Sequence, residues 1–199
     1  MRILRAGDHR RMAWKNGGGE TIEIAVHPAG AGLDGFDWRI SMARVESDGP
    51  FSAFPGVDRT LAILEGEGME LDIDGFGRHR LTPETAPFTF PADAATEASL
   101  LGGPITDLNV MARRGTAKHR VSRIDISSET SVRPCAEWTI LIPLGPVASK
   151  AGEGSSAMLG PRDALLLERG DPSILLRTDM PQTAFLIEID PCEEASGTP

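Results

Sequence analysis

Apolar and polar residues alternate with period two along several short stretches. In residues 69–73, Met69, Leu71 and Ile73 fall on one face and Glu70 and Asp72 on the other. In residues 21–27, Ile22, Ile24 and Val26 oppose Thr21, Glu23, Ala25 and His27. Phe185, Ile187 and Ile189 align in the same way, as do Trp138, Ile140 and Ile142. This is the mark of half-buried β-strands, whose successive side chains point to opposite faces. No stretch carries a sustained helical stripe; residues 94–100 are read as a short helix at best.

Turns punctuate these segments every ten residues or so. Examples are Glu65-Gly66-Glu67-Gly68, Asp74-Gly75-Phe76-Gly77, Glu168-Arg169-Gly170-Asp171 and Thr178-Asp179-Met180-Pro181. Glycine supplies positive φ, and aspartate bonds to nearby backbone. The rhythm predicts an all-β sandwich or barrel with antiparallel strands and little helix. The two halves echo each other in layout without repeating in sequence. The division expected is residues 1–115, residues 116–191 and a disordered tail over 192–199. Residues 145–156 (GPVASKAGEGSS) read as a flexible surface loop.

The chain has 199 residues, 40% apolar and 25% charged, which is ordinary globular composition with ample material for a core. The formal charge is −9, and the only adjacent basic pairs are Arg10-Arg11 and Arg113-Arg114. No nucleic acid is expected as a partner. No apolar run suits a membrane-spanning helix, and the charged start MRILRAGDHRRMAW does not suit a secretory signal, so a cytoplasmic setting and no membrane partner are expected. Cys135 and Cys192 form no CxxC pair. The four histidines, His9, His27, His79 and His119, form no HxH or HxxxH cluster, so no metal and no cofactor are expected.

Three strings carry candidate chemistry. The first is WKNGGGET, residues 14–21. Three successive glycines are costly to order. Either their N–H groups, with Lys15 and Asn16, approach a bound anion, or bare backbone is needed to avoid a clash at a bend. A Walker phosphate loop does not fit, because the GK[ST] ending is missing. The second is DGPFSAFPGVDRT, residues 48–60, where Phe51, Phe54, Ser52 and Arg59 suit a pocket wall with a carboxylate-holding cation. The alternative is a loop stapled by phenylalanine, with Asp58 and Arg59 as a local ion pair. The third is residues 107–111, where Asp107, Asn109 and Met111 share one strand face against Leu108 and Val110. A polar inner face suits a barrel that holds a ligand; an exposed sheet face would look the same.

The segments MAWKNGGGETIEI (residues 12–24), WRISMARVESDGPFSAFPGVDRTLAILEGEGMEL (residues 38–71) and DLNVMARR (residues 107–114) closely resemble the HutD/Ves family. The resemblance covers about the first 115 residues; beyond it the match is one of layout. It implies a cupin-like double β-barrel (bicupin). Family members are named for bacterial histidine-utilisation gene sets, with a regulatory or metabolite-sensing role proposed. The usual metal-binding cupin histidines are absent.

Combined with the strings, the resemblance points to a metal-independent binder of a small anionic metabolite, a regulator or sensor rather than an enzyme. The expected ligand-binding residues are Trp14, Lys15, Asn16, Gly17, Gly18, Ser52, Phe54, Arg59 and Asn109. A carboxylate from histidine breakdown, such as formylglutamate or urocanate, would suit them. The alternative is a metal-independent isomerase or hydrolase of a small organic acid, with Glu20 or Asp107 as general base. A protein-interaction module using Phe51 and Phe54 is a third option. A homodimer through an exposed strand edge is also open.

Overall fold

The computed structural model describes residues 1–14, 17–152, 154 and 156–192. In chain order, the first strands are β1 (Arg2–Leu4), β2 (Arg10–Ala13), β3 (Gly19–His27), β4 (Trp38–Val45), β5 (Gly49–Pro50) and β6 (Val57–Glu65). Then come β7 (Met69–Ile73), β8 (Gly77–Leu81), β9 (Phe88–Pro91), β10 (Thr96–Leu100) and β11 (Ile105–Arg113). The remainder are β12 (Ala117–Ile126), β13 (Glu129–Val132), β14 (Trp138–Pro143), β15 (Val147–Ala151), β16 (Ser156–Leu159), β17 (Ala164–Glu168), β18 (Ile174–Arg177) and β19 (Gln182–Pro191). The helix among the described residues is a single 3-10 turn, Ala6–Asp8.

All strand pairs are antiparallel and form four sheets. In the first half, the six-stranded sheet β2-β3-β4-β11-β6-β9 faces the four-stranded sheet β5-β10-β7-β8. In the second half, β1-β17-β14-β19-β12 faces β13-β18-β15-β16. The two large sheets pack on each other through Ile40, Met42, Leu108 and Val110 on one side and Ile140, Ile142, Phe185 and Ile187 on the other. Their central strands are therefore covered on both faces. That is why β14 is buried on both faces along nearly its whole length and not on the Ile140–Ile142 face alone. Each fully buried large side chain there contributes about 1.5–3 kcal/mol of transfer free energy.

Alternation decides what faces outward from this central layer. On β11, Leu108 and Val110 enter the core between the large sheets, while Asp107, Asn109 and Met111 face the interior of the first half. On β4, Trp38, Ile40 and Met42 take the core side and Arg39, Ser41 and Ala43 the other.

Several expectations need correction. Residues 94–100 contain a strand, not a helix: β10 pairs with β7 along its whole length and buries Thr96 and Ala98. Residues 145–156 are not simply a loop. They hold β15, which pairs with β16 on one side and β18 on the other, with Val147 fully buried. Ile22, Ile24 and Val26 do not share a face, because the β3–β4 register slips between Glu23 and Ala25. This β-bulge leaves Ile24 unpaired and turns Val26 to the side of Arg39, away from Ile22. β1 precedes the first half in sequence but pairs with β17 in the second. Cys192 is tied by its N–H to the Thr116 carbonyl at 2.8 Å; residues 193–199 lie outside the described residues.

Candidate functional site

Three adjacent strands of the six-stranded sheet make a grid that floors a cavity in the first half. Arg39, Ser41 and Ala43 of β4 stand beside Met111, Asn109 and Asp107 of β11. Met111 and Asn109 stand beside Arg59 and Leu61 of β6. The cavity holds about 250 Å³. That is at or below the small end of the usual ligand range of about 300–1,000 Å³, so it suits a small metabolite. Trp14, Phe51 and Phe54 complete its walls.

Register irregularities flank Asp107, which lines the cavity, and Glu23, which pairs with the lining residue Arg39. β6 carries one extra residue, Leu64, where the pairing with β11 shifts between Thr106 and Asp107. The bulge at Ile24 follows Glu23. Bulges of this kind re-aim side chains and end regular pairing.

Arg59 is 3% exposed. Its guanidinium carbon lies 5.2 Å from the ring centres of both Phe51 and Phe54 and 6.0 Å from that of Phe90. Nη2 donates to the Ser52 carbonyl at 3.0 Å and to the Met111 sulfur at 3.8 Å, while Nε has no partner. Burial pulls its pKa down to about 10, with the Asp107 charge opposing and Arg39 assisting. It is still a cation at neutral pH. Aromatic faces stabilise it without cancelling its charge.

Arg39 is equally buried but satisfied. Its Nε donates to Glu23 Oε2 at 2.8 Å across β3 and β4, and Nη1 reaches Ser41 Oγ at 3.4 Å. Asp107 is 1% exposed. Burial lifts its pKa to about 7, against the pull of Arg59 and a backbone hydrogen bond at Ala43. Its Oδ1 has no partner, nor does Asn109 Oδ1. Unpaired polar atoms of this kind are costly in a dry interior.

The cavity thus brings together Trp14, Ser52, Phe54, Arg59, Asn109 and Asp107 from separate parts of the chain. Lys15 and Asn16 lie outside the described residues. Gly17 and Gly18 belong to the β2–β3 turn and are not lining residues: Gly17 N–H donates to the Trp14 carbonyl, and the Gly18 carbonyl accepts from Glu46 N–H. A Cβ on Gly19 would lie 2.0 Å from the Arg44 carbonyl oxygen, so close backbone approach explains that glycine. Glu20 sits away from the cavity and accepts from Arg11 at 2.8 Å. The local Asp58–Arg59 pair does not form. Neighbours on a strand point opposite ways, and Asp58 pairs with Arg114 at 2.8 Å instead.

Sequence reasoning passed over Arg39, Ser41 and Thr21. The alternation of Arg39 and Ser41 against Trp38, Ile40 and Met42 was the available signal. Thr21 accepts the Trp14 indole N–H at 2.8 Å, holding that ring in the wall. Among the described residues, no group of three or more metal-ligating side chains converges, and no helix is long and apolar enough to cross a membrane.

The chain is 46% identical over 111 residues to an uncharacterised 21.2 kDa protein in the hutC 3′ region of Pseudomonas putida. It is 42% identical over 113 residues to the protein Ves of Citrobacter koseri. These matches take in 56% of this chain and 57% and 58% of those relatives, so the chain spans little more than half the length of the curated relatives it matches. Among solved structures, a conserved protein of unknown function from Pseudomonas aeruginosa PAO1 superposes with a TM-score of 0.86 at 35% identity, covering 95% of this chain and 98% of that one. HutD from Pseudomonas fluorescens SBW25 superposes with a TM-score of 0.80 at 31% identity, covering 96% and 98%. A cupin 2 conserved barrel domain protein from Leptotrichia buccalis shares the fold alone, with a TM-score of 0.59 at 10% identity over 85% and 88% of the two chains. The HutD family model matches residues 6–186, and the chain belongs to the HutD family.

Proposed function

We propose that the chain is a bicupin that binds a small carboxylate in the first-half cavity, without a metal, and that it senses or regulates histidine utilisation in the cytoplasm. The observation that carries this reading is Arg59. It is a buried cation whose Nε has no partner, enclosed by aromatic rings and lining a cavity sized for a metabolite. A carboxylate arriving there exchanges an unsatisfied donor for a charge-assisted bond of about 1.5–3 kcal/mol. The pathway assignment leans on family membership and on the relative found in the hutC 3′ region. Formylglutamate and urocanate carry the required carboxylate.

The test is a thermal-shift and calorimetric titration of purified protein. Histidine, urocanate, formiminoglutamate, formylglutamate and glutamate are added separately, with product assays on the same mixtures. A ligand that binds the native state raises the melting temperature as its concentration passes Kd. A shift without product, lost in Arg59→Ala, supports the reading. No shift with any of the five removes it.

A second reading has one observation behind it. The Asp107 carboxyl, raised to about 7, is tuned as a general base or acid would be. Turnover of one of these acids, abolished by Asp107→Asn, would make the protein a metal-independent enzyme.

A further inference from the structure

Where β1, β14 and β17 of the second-half sheet meet β3 and β4 of the first, the two large sheets leave a crevice of about 310 Å³. Ile24 and Ala25, at the β3 bulge, and Leu4 and Leu166, from β1 and β17, make its apolar wall. The volume lies within the usual ligand range of about 300–1,000 Å³, and interfaces between packed units are where such sites concentrate.

The rest of the wall is aromatic. Trp38 and Trp138 come from opposite halves, with ring centres 5.5 Å apart. The His27 ring lies 5.7 Å from the first and 4.8 Å from the second. Trp38 is 3% exposed, and its indole N–H has no partner. A buried donor left in this state is costly.

Two exposed charges of opposite sign, Arg2 and Glu168, complete the lining. Arg2 stands opposite Leu166, and Glu168 is two positions further along β17. Diagonal neighbours of this kind are about 7–8 Å apart at Cα. Yet neither side chain has an ion pair or hydrogen bond among the described residues. A lone anion meets Glu168 unfavourably, and a lone cation meets Arg2. A zwitterion matches both.

We propose that this crevice is a second binding site, for a free α-amino acid with a planar heteroaromatic side chain. The ring packs against Trp38, Trp138 and His27, and a ring acceptor takes the Trp38 N–H. The carboxylate pairs with Arg2 and the ammonium with Glu168. The site stands apart from the carboxylate-binding reading above, because Arg59 is not among its lining residues. Both halves contribute to it, so an occupant holds them together and raises the melting temperature.

The probe is L-3-(4-pyridyl)alanine, which differs from phenylalanine by a nitrogen in place of one ring CH. Calorimetry on the full chain at pH 7.5, where the pyridine ring is neutral, is expected to show it binding roughly 5-fold tighter than phenylalanine, the equivalent of one neutral hydrogen bond. Trp38→Phe keeps a ring, removes the N–H and erases that preference. Arg2→Gln and Glu168→Gln, at exposed positions that the fold does not depend on, each weaken binding roughly 3-fold or more. The analogues lacking the carboxylate (4-pyridylethylamine) or the ammonium (3-(4-pyridyl)propanoate) bind more weakly than the parent. In Arg59→Ala, which disables the first-half cavity, pyridylalanine binding persists. Loss of binding in Arg59→Ala, equal affinity for pyridylalanine and phenylalanine, unchanged affinity in both charge variants, or no binding at millimolar probe each overturns the inference. Carboxylate binding in the first half is scored separately, by its own loss in Arg59→Ala.

Discussion

Arg39 and Glu23 are joined at 2.8 Å across β3 and β4, and this ion pair leaves Arg59 as the cavity's uncompensated guanidinium. The two arginines are therefore unequal despite similar burial. Arg59→Met keeps the aromatic packing and removes the charge. It is expected to weaken carboxylate binding by roughly 10- to 100-fold, the equivalent of one charge-assisted hydrogen bond. Arg39→Met instead strands Glu23, a partly buried acid, and is expected to lower the melting temperature more than Arg59→Met does. Calorimetry and thermal melts on the two variants separate these outcomes.

Asp107 and His119 make opposing contributions to the pH dependence of stability. Asp107 titrates near 7 in the folded protein and near 3.8 otherwise. Between those values the unfolded chain has lost a proton that the native state keeps, so stability falls as pH rises through this window. His119, half-buried beside Thr60 with desolvation pushing its pKa down to about 4 from 6.5, acts in the other direction. Between pH 6.5 and 4 the unfolded chain gains a proton that the native state refuses, so stability falls as pH drops. The two slopes offset each other between about pH 4 and 6.5. Asp107→Asn is expected to leave a profile that rises with pH there, and His119→Gln one that falls. Melting temperatures at pH 4.5, 5.5, 6.5 and 8 check both signs.

Gly19 is required by proximity. An added Cβ would stand 2.0 Å from the Arg44 carbonyl oxygen, in the β3–β4 ladder that also carries the Arg39–Glu23 pair. Gly19→Ala is expected to destabilise by about 1–3 kcal/mol, the range for overpacking, as measured by urea unfolding. Gly17 has open space around its missing side chain, but its φ of +73° strains any replacement. Gly17→Ala should therefore cost less than Gly19→Ala, and Gly17→Asn less again.

The two faces of β11 give a direct contrast. Leu108 is completely buried between the large sheets, and Leu108→Ala is expected to cost about 2–5 kcal/mol. Asn109, the next residue, lines the cavity with an unsatisfied oxygen. Asn109→Ala should change stability by less than about 1 kcal/mol, because the lost amide leaves no partner behind. Unfolding curves on the pair test the assignment of faces.

Much of this was legible from single strands. Asp107, Asn109 and Met111 stood out because β11 keeps strict alternation, and Arg59 because it enters β6 from a phenylalanine-rich loop. What escaped depended on partners far away in the chain. Glu23 meets Arg39 only through the β3–β4 register, and the extra residue at Ile24 that misplaced Val26 has no local signature. Arg39 and Ser41 alternate with Trp38, Ile40 and Met42 as on a strand with one solvent-facing side, whereas β4 is buried on both faces and its polar side lines the cavity. The run of glycines drew attention toward an anion-binding role, whereas Gly19 is accounted for by contact with Arg44. Residues 145–156 misled because a short strand of small and polar residues, Ala148-Ser149-Lys150-Ala151, has the composition of a flexible loop, while its pairing with β16 and β18 is set by backbone hydrogen bonds.

β1 is stitched into the far sheet, where Leu4 meets Ala164 and Arg2 meets Leu166. As the polypeptide emerges from the ribosome, this strand must wait for almost the whole chain before its partner exists. Closing so long a loop is slow compared with forming the hairpins of the first half. The first half meanwhile presents the Ile40–Met42–Leu108–Val110 surface, which only the second half covers. Completion of the last strands therefore acts as a checkpoint: a chain interrupted after β11 keeps its cavity-forming residues but exposes a hydrophobic sheet face, and is marked for aggregation or proteolysis.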